Sequence, residues 1–193
     1  MAMATRIAVL PLLTPEGARR LEGQGAHLSY AFSKAELSSV AAGIREAGFS
    51  VVLLPAETLP AEAFNPARRQ WQSTPIFHFA RKRLEALGEL QTRLLVLTDA
   101  DIYEPGLSFT GGMAELGGKL ALVSLARLQS GDRAKLVFRA KKEGLHELGH
   151  TLGLEHCRDR DCVMFLSRSI ADSDIKGSAF CTKCRAVLGR AVK

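Results

Sequence analysis

The chain has 193 residues, of which 47% are hydrophobic, so it suits one globular domain with a substantial core and is too short for two large domains. Its 26 Lys and Arg residues against 20 Asp and Glu residues give a net charge of +6, spread along the sequence. No apolar run is long enough to span a bilayer, which argues against a membrane protein. Its basic clusters lack interleaved aromatic residues, so nucleic-acid binding is a minor alternative.

The amino-terminal segment and the cysteines predict a cytoplasmic location. One arginine precedes a short apolar stretch. This stretch lacks the small-residue cleavage pattern that a secretory signal peptide would have. All four cysteines lie between Cys157 and Cys184, so residues 1–156 contain no disulfide partner. We therefore expect a reducing compartment and a fold that its core stabilises.

The amino-terminal half alternates predicted strands and helices. In chain order these are strand 6–13, helix 33–49, strand 50–55, helix 74–88 and strand 93–103. The first helix opens with a capping box formed by Ser33 and Glu36 and ends at Gly48. Residues 14–32 and 55–73 are predicted loops. This β-α-β-α-β order predicts an α/β fold with a mainly parallel sheet.

A glycine-rich connection leads to residues 119–128, which fit a strand or a short helix. The β-branched Val123 and the flanking glycines favour a strand. A long helix is predicted to begin near Asp132, because apolar residues then recur on one helical face. They are Leu136, Val137, Ala140, Leu145, Leu148 and Leu152.

The motif HELGHTLGLEH, residues 146–156, lies at the end of that helix. His146 and His150 are one turn apart and point to the same side. Glu147 projects about 100° further round the helix, within reach of a metal-bound water. Gly153 suits the left-handed residue that ends a helix, and the turn there brings His156 back as a third ligand.

Three imidazoles with a vacant fourth position are typical of a catalytic zinc site, whereas structural sites have four protein ligands. Zinc would acidify its bound water and polarise a carbonyl, while Glu147 would act as the general base of peptide-bond hydrolysis. An HExxH motif by itself can belong to a solvated helical face. The presence of Gly153 and His156 after the motif favours a zinc site over that alternative. His27 and His78 each stand alone and are assigned no role.

The four cysteines form a second cluster. Cys157 and Cys162 make one pair, and Cys181 and Cys184 make a CxxC pair. This layout is typical of a closed structural zinc site. The alternatives are two disulfides or CxxC redox chemistry, but there is no secretory signal and the CxxC does not open a helix after a strand of a βαβ unit. Residues 157–193 have few large apolar side chains, so a metal would take the place of a core there.

These motifs, followed by Met164, resemble those of the metzincin metallopeptidases and, within them, the archaemetzincins. The resemblance is most specific from Lys142 to Cys184. It implies a mixed, mainly parallel twisted sheet with an antiparallel edge strand, and Met164 as a Met-turn beneath the three histidines. It also implies an upper subdomain, 1–153, and a lower one, 154–193. The edge strand would pair with the substrate backbone, and residues 119–125 are our candidate for it.

The sequence thus predicts a monomeric zinc metallopeptidase with one catalytic and one structural zinc ion. Its expected partner is a peptide or unfolded protein, with no membrane and no nucleic acid. The alternative is a zinc-stabilised binding module with a vestigial active site. Glu147 argues against that alternative, because a purely structural site needs no base.

Overall fold

The computed structural model describes residues 5–21, 33–88 and 92–191. In these ranges the helices are α1 (Pro15–Leu21), α2 (Lys34–Glu46), α3 (Ser73–Ala86), α4 (Arg133–Thr151), α5 (Ile170–Ile175) and α6 (Thr182–Ala191). The strands are β1 (Arg6–Leu13), β2 (Ser50–Leu53), β3 (Glu57–Thr58), β4 (Phe64–Asn65), β5 (Gln70–Gln72), β6 (Thr92–Thr98), β7 (Ile102–Tyr103), β8 (Gly112–Ala114) and β9 (Leu120–Ser124).

A mainly parallel sheet forms the centre of the molecule. Its strands lie in the order β2-β1-β6-β9-β8, with β3 added beside β1. The pairs β1–β2, β1–β6 and β6–β9 are parallel, and only β8 runs antiparallel to its neighbour. The predicted α/β class, mainly parallel sheet and antiparallel edge strand are therefore confirmed.

Helices cover both faces of this sheet, because alternate residues of a strand point to opposite sides. On one face Ile7 and Val9 of β1 pack with α2, α4 and the cysteine-rich segment. On the other face Ala8 and Leu10 pack against α3. Burial of the central strands on both faces explains their continuous apolar sequence.

The two helices on the first face begin at capping residues that the sequence predicted. Ser33 and Glu36 form the capping box of α2. The Asp132 side chain accepts hydrogen bonds from the amides of Ala134 and Lys135 at the start of α4. The helix α4 that begins at this cap carries the histidine motif at its other end.

The predicted identity of the edge strand was wrong. Residues 120–124, β9, lie inside the sheet between β6 and β8, where both sides of the strand are paired. The edge is Gly112–Ala114, within the segment predicted as a glycine-rich connection. Both faces of β9 are buried, as expected of an interior strand and not of an edge.

Two predicted loops and one predicted strand also differ from the structure. Residues 15–21 form α1, and residues 55–73 contain the short strands β3, β4 and β5; residues 22–32 lie outside the described ranges. The strand predicted at 93–103 stops at Thr98. Directly after the strand, the Asp99 carboxylate accepts hydrogen bonds from the amide and the hydroxyl of Thr14.

Within the described ranges, no helix combines the length and hydrophobicity needed to cross a lipid bilayer.

Candidate active site

The carboxyl end of α4 carries the first two histidines, and a turn brings in the third. Gly153 has a φ of 87°, and its amide donates to the carbonyl of His150. The amide of Leu154 donates to the carbonyl of Gly149. This is the Schellman pattern, which needs a left-handed residue after the helix. The turn reverses the chain so that His156 lies close to His146 and His150.

The three imidazoles converge on one point. Their ring centroids lie 4.8 to 5.3 Å apart, and the Nε2 atoms of His146 and His150 are 3.2 Å from each other. The Nδ1 atoms of these two rings lie 2.8 and 2.7 Å from the carbonyl oxygens of Val163 and Leu154. Because a carbonyl can only accept, each Nδ1 carries the proton and each Nε2 lone pair is free for a metal.

Burial also favours the neutral form of these histidines. Burial, with a smaller contribution from the Lys176 ammonium, lowers the pKa of His146 to about 3. The pKa values of His150 and His156 are lowered chiefly by burial as well. Neutral imidazole is the form that coordinates a metal, so the three rings fit a divalent cation.

Glu147 lies beside this group and lines the same cleft. Burial, with a smaller contribution from the Glu143 carboxylate, raises the pKa of Glu147 to about 8. A cation at the histidines would lower it again, because an opposite charge favours the carboxylate. A carboxyl group held between these two influences can accept a proton in one step and release it in another.

Met164 is fully buried beneath this part of α4. It packs against Gly149, where an added Cβ would collide with its sulfur atom. The Met164 carbonyl accepts a hydrogen bond from the amide of Cys157, the residue after His156. Met164 therefore contacts both the helix and the segment that carries the third histidine.

The four cysteines also meet at one point, with all their sulfur atoms within 4.8 Å of one another. Cys157 and Cys181 are 3.9 Å apart at Sγ, and Cys162 and Cys184 are 3.7 Å apart. A disulfide is about 2.05 Å long. Two thiolates on a tetrahedral zinc, each about 2.3 Å from it, lie about 3.8 Å apart. The spacing fits a shared zinc ion and does not fit the two disulfides.

Comparison with known proteins shows which family the chain belongs to. The sequence model of peptidase family M54 matches residues 83–190, more than half of the chain. The archaemetzincin of Methanocaldococcus jannaschii is 42% identical over 138 residues, which span 68% of this chain and 73% of that protein.

Two crystal structures of archaemetzincins are also similar. That of the Archaeoglobus fulgidus protein, complexed with malonate, has 31% identity and a TM-score of 0.73, covering 94% of this chain and 99% of that one. That of the Methanopyrus kandleri protein has 29% identity and a TM-score of 0.74, covering 97% and 95%.

The chain belongs to peptidase family M54, the archaemetzincins. It is therefore a zinc metallopeptidase, a hydrolase that acts on peptides. The family resemblance predicted from the sequence is confirmed, and the likeness covers nearly the whole fold as well as the motifs.

The active-site cleft of this archaemetzincin has a volume of about 1200 Å³. The three histidines, Glu147 and the edge strand β8 form one part of its wall. Exposed apolar side chains stand around it: Phe109, Leu116, Leu166 and Ile170. A cleft with apolar side chains around the three converging histidines suits a peptide whose hydrophobic side chains are accessible.

The sequence interpretation missed Glu143 and Ser173, which line this cleft, and Lys176, which pairs with Glu143. The Lys176 ammonium pairs with the Glu143 carboxylate at 3.0 Å, and the Ser173 hydroxyl donates to the same carboxylate at 2.6 Å. Glu143 is one helical turn before Glu147, a spacing that could have indicated it. Lys176 and Ser173 are about 30 residues away, and no pattern in the sequence connects them to α4.

Proposed function

We propose that this enzyme hydrolyses peptide bonds at a catalytic zinc held by His146, His150 and His156, with Glu147 as general base. The observation that carries the proposal is the convergence of the three imidazoles on the cleft, with two Nδ1 atoms bonded to carbonyls. Three protein ligands leave one position for substrate or water, which is the arrangement of a catalytic zinc.

When bound, zinc would act as a Lewis acid that polarises the scissile carbonyl and makes water a better nucleophile. Glu147 would accept the proton of the attacking water and deliver it to the leaving nitrogen as the bond breaks. Val163 and Leu154 would hold the two ligand rings in place through their carbonyls. Met164 would support the rings as the Met-turn, and Gly153 would permit the turn to His156.

The outer side of β8 is the proposed place for the substrate backbone. In the described part of the sheet, β8 pairs with β9 as its one neighbouring strand. Its other side could accept an extended peptide, although the Thr110 hydroxyl, which donates to the Gly112 carbonyl at 2.8 Å, would have to give up that acceptor if the peptide pairs there. A peptide in that position would pass Glu147 and the histidines, which line the same cleft. Main-chain pairing would give affinity without sequence preference, and the apolar walls would select side chains.

We further propose a second, structural zinc on Cys157, Cys162, Cys181 and Cys184. The sulfur spacing supports this, and so does the effect of burial, which raises the pKa values of the Cys162 and Cys184 thiols. Because burial favours the neutral thiol, these cysteines would become thiolates only with a cation beside them. The division at residues 153 and 154, the monomeric state, the cytoplasmic location and the lack of nucleic-acid binding stay predictions.

The test is cleavage of a mixed peptide library by zinc-loaded wild type and Glu147→Gln. We expect the wild type to cleave and the variant to be at least about 100-fold slower, because the amide cannot take the proton. Zinc content should not change. Peptides with free and blocked amino termini in the same library separate aminopeptidase from endopeptidase action.

Glu46→Gln is the matched control, since Glu46 lies on α2 and pairs with Lys141, away from the cleft. It should keep the wild-type rate. Equal rates for wild type and Glu147→Gln would contradict the proposed role of Glu147. An inactive wild type with a full zinc complement would favour the binding-module alternative.

A further inference from the structure

We propose that Gly112 is a positioning residue for Glu147. Because Gly112 has no side chain, the Glu147 carboxylate can lie against the edge strand β8, in the cleft that the three histidines also line. The inference rests on the proposed function, in which Glu147 is the general base. Gly112 would act through Glu147 and need not touch the substrate itself.

The packing between β8 and α4 supports this role. A Cβ atom built on Gly112 would lie 2.6 Å from Oε1 of Glu147, 2.9 Å from Cδ and 3.0 Å from Cγ. Real side chains do not approach this closely. The end of the Glu147 side chain therefore occupies the space that any other residue at position 112 would fill.

The backbone at Gly112 does not require glycine. Its φ is not among the positive values of the chain, and the residue sits in regular antiparallel register with Val123. Gly153, by contrast, has a φ of 87°, which an L side chain rarely adopts. The need for glycine at position 112 is therefore one of space for Glu147.

Hydrogen bonds do not set the place of this carboxylate. Among the described residues, none donates a hydrogen bond to Glu147, whereas Ser173 and Lys176 hold the neighbouring Glu143. The position of Glu147 thus depends on the surfaces around it. A flexible side chain held in this way moves when one of those surfaces moves.

Gly112→Ala tests the inference. Because the atoms in conflict are the end of a flexible side chain, the fold should adjust by turning Glu147 away. We expect kcat to fall about 100-fold, as a displacement of about 1 Å at a reacting group can cause, with KM little changed. Gly131→Ala is the control, since Gly131 lies outside the residues that line the cleft and a Cβ there meets nothing within 4 Å, and it should keep the wild-type kcat.

A double-mutant cycle with Glu147→Asp adds a second readout. Shortening the acid slows the wild type, but in the Gly112→Ala protein it also relieves the collision. We therefore expect the Asp substitution to cost less in the Gly112→Ala background than in the wild type. Independent, multiplicative effects on kcat, or equal kcat values for Gly112→Ala and Gly131→Ala, would overturn the proposal.

A crystal structure of Gly112→Ala provides a readout independent of activity. The proposal requires the Glu147 carboxylate to leave its wild-type position, and an unmoved carboxylate overturns it. If the wild type itself cleaves no peptide, the proposed function fails, and the crystal structure still decides whether Gly112 sets the place of Glu147. If Gly112→Ala does not fold, the same change in a Glu147→Ala chain should fold, and failure of both would overturn the proposal.

Discussion

At the scale of single residues, small side chains allow the closest contacts of the site. Gly149 lies between His146 and His150 on α4, and the sulfur of Met164 packs into the space that a side chain would take. Phe180 packs against the same glycine: its ring carbon Cε1 lies 3.0 Å from the place where a Cβ of residue 149 would be. The helix therefore rests directly on the segment that contains Met164.

Gly149→Ala should destabilise the protein by about 1–3 kcal/mol, the usual cost of forcing an extra methyl group into a packed core. Thermal or denaturant unfolding measures it. The matched control is Gly189→Ala, in the exposed part of helix α6, where a Cβ meets nothing within 4 Å. That change should stabilise the protein by about 0.5–1 kcal/mol, because alanine is the better helix former. Equal changes in the free energy of unfolding for the two variants would contradict this prediction, because they would show that Met164 can move away from position 149 at no cost.

The residues of the candidate site were predictable to different degrees. His146, His150, His156 and Gly153 follow from helical spacing and from the left-handed turn that glycine permits. Lys176 could not be predicted, because its approach to α4 depends on the folding of the segment after the cysteines. Gly112 is one of several glycines in a connection, and only the packed structure shows which of them meets Glu147.

At the scale of elements, a buried ion pair joins α4 to the end of α5. The Lys176 side chain is fully buried and that of Glu143 is 15% exposed, with 3.0 Å between Nζ and Oε2. The buried Lys142 ammonium donates to the carbonyls of Asp174 and Lys176. These contacts fix one wall of the cleft on the helix that carries the histidines.

Lys176→Met should cost about 3–5 kcal/mol, because it leaves the Glu143 carboxylate unpaired in a largely buried site. Lys141→Met is the control on the same helix. Its partner Glu46 is 64% exposed, and such pairs contribute less than about 1 kcal/mol. Unfolding curves of the two variants measure the loss of stability of each. A loss for Lys176→Met no larger than that for Lys141→Met would contradict the prediction.

The elements themselves were predicted well where they are long. β1, α2, α3 and the start of α4 have clear apolar periods or capping residues, which act locally. The short strands β4 and β5 were missed, because two or three residues carry no period and are stabilised by distant partners, such as Ile102 for Trp71. The edge strand was misassigned since β9 had the stronger apolar pattern, a property of interior strands.

At the scale of the whole molecule, the two groups of residues that could hold a metal meet in one short segment, where His156 of the first is followed directly by Cys157 of the second. Zinc analysis should give two ions per chain for the wild type and one for His150→Ala, His156→Ala. The variant should keep most of its thermal stability, because an open catalytic site contributes less to folding than a closed structural one.

The matched variant is Cys181→Ser, Cys184→Ser, which should unfold at a much lower temperature, as expected when a metal takes the place of a core. One zinc ion in both the wild type and the histidine variant would mean that the cysteines alone bind metal. The catalytic assignment would then be wrong, although the fold would be unaffected.

On the proposed assignment of two zinc ions, the direct succession of His156 and Cys157 along the chain would couple metal binding at the two sites. His156 reaches the α4 histidines only when its own segment is folded, and Cys157 ties that segment to the cysteine cluster. Metal at the cysteines would therefore reduce the entropy lost when His156 joins the second site. Under the same proposal, oxidation of the thiols would release that metal and weaken zinc binding at the histidines, although no histidine is itself modified.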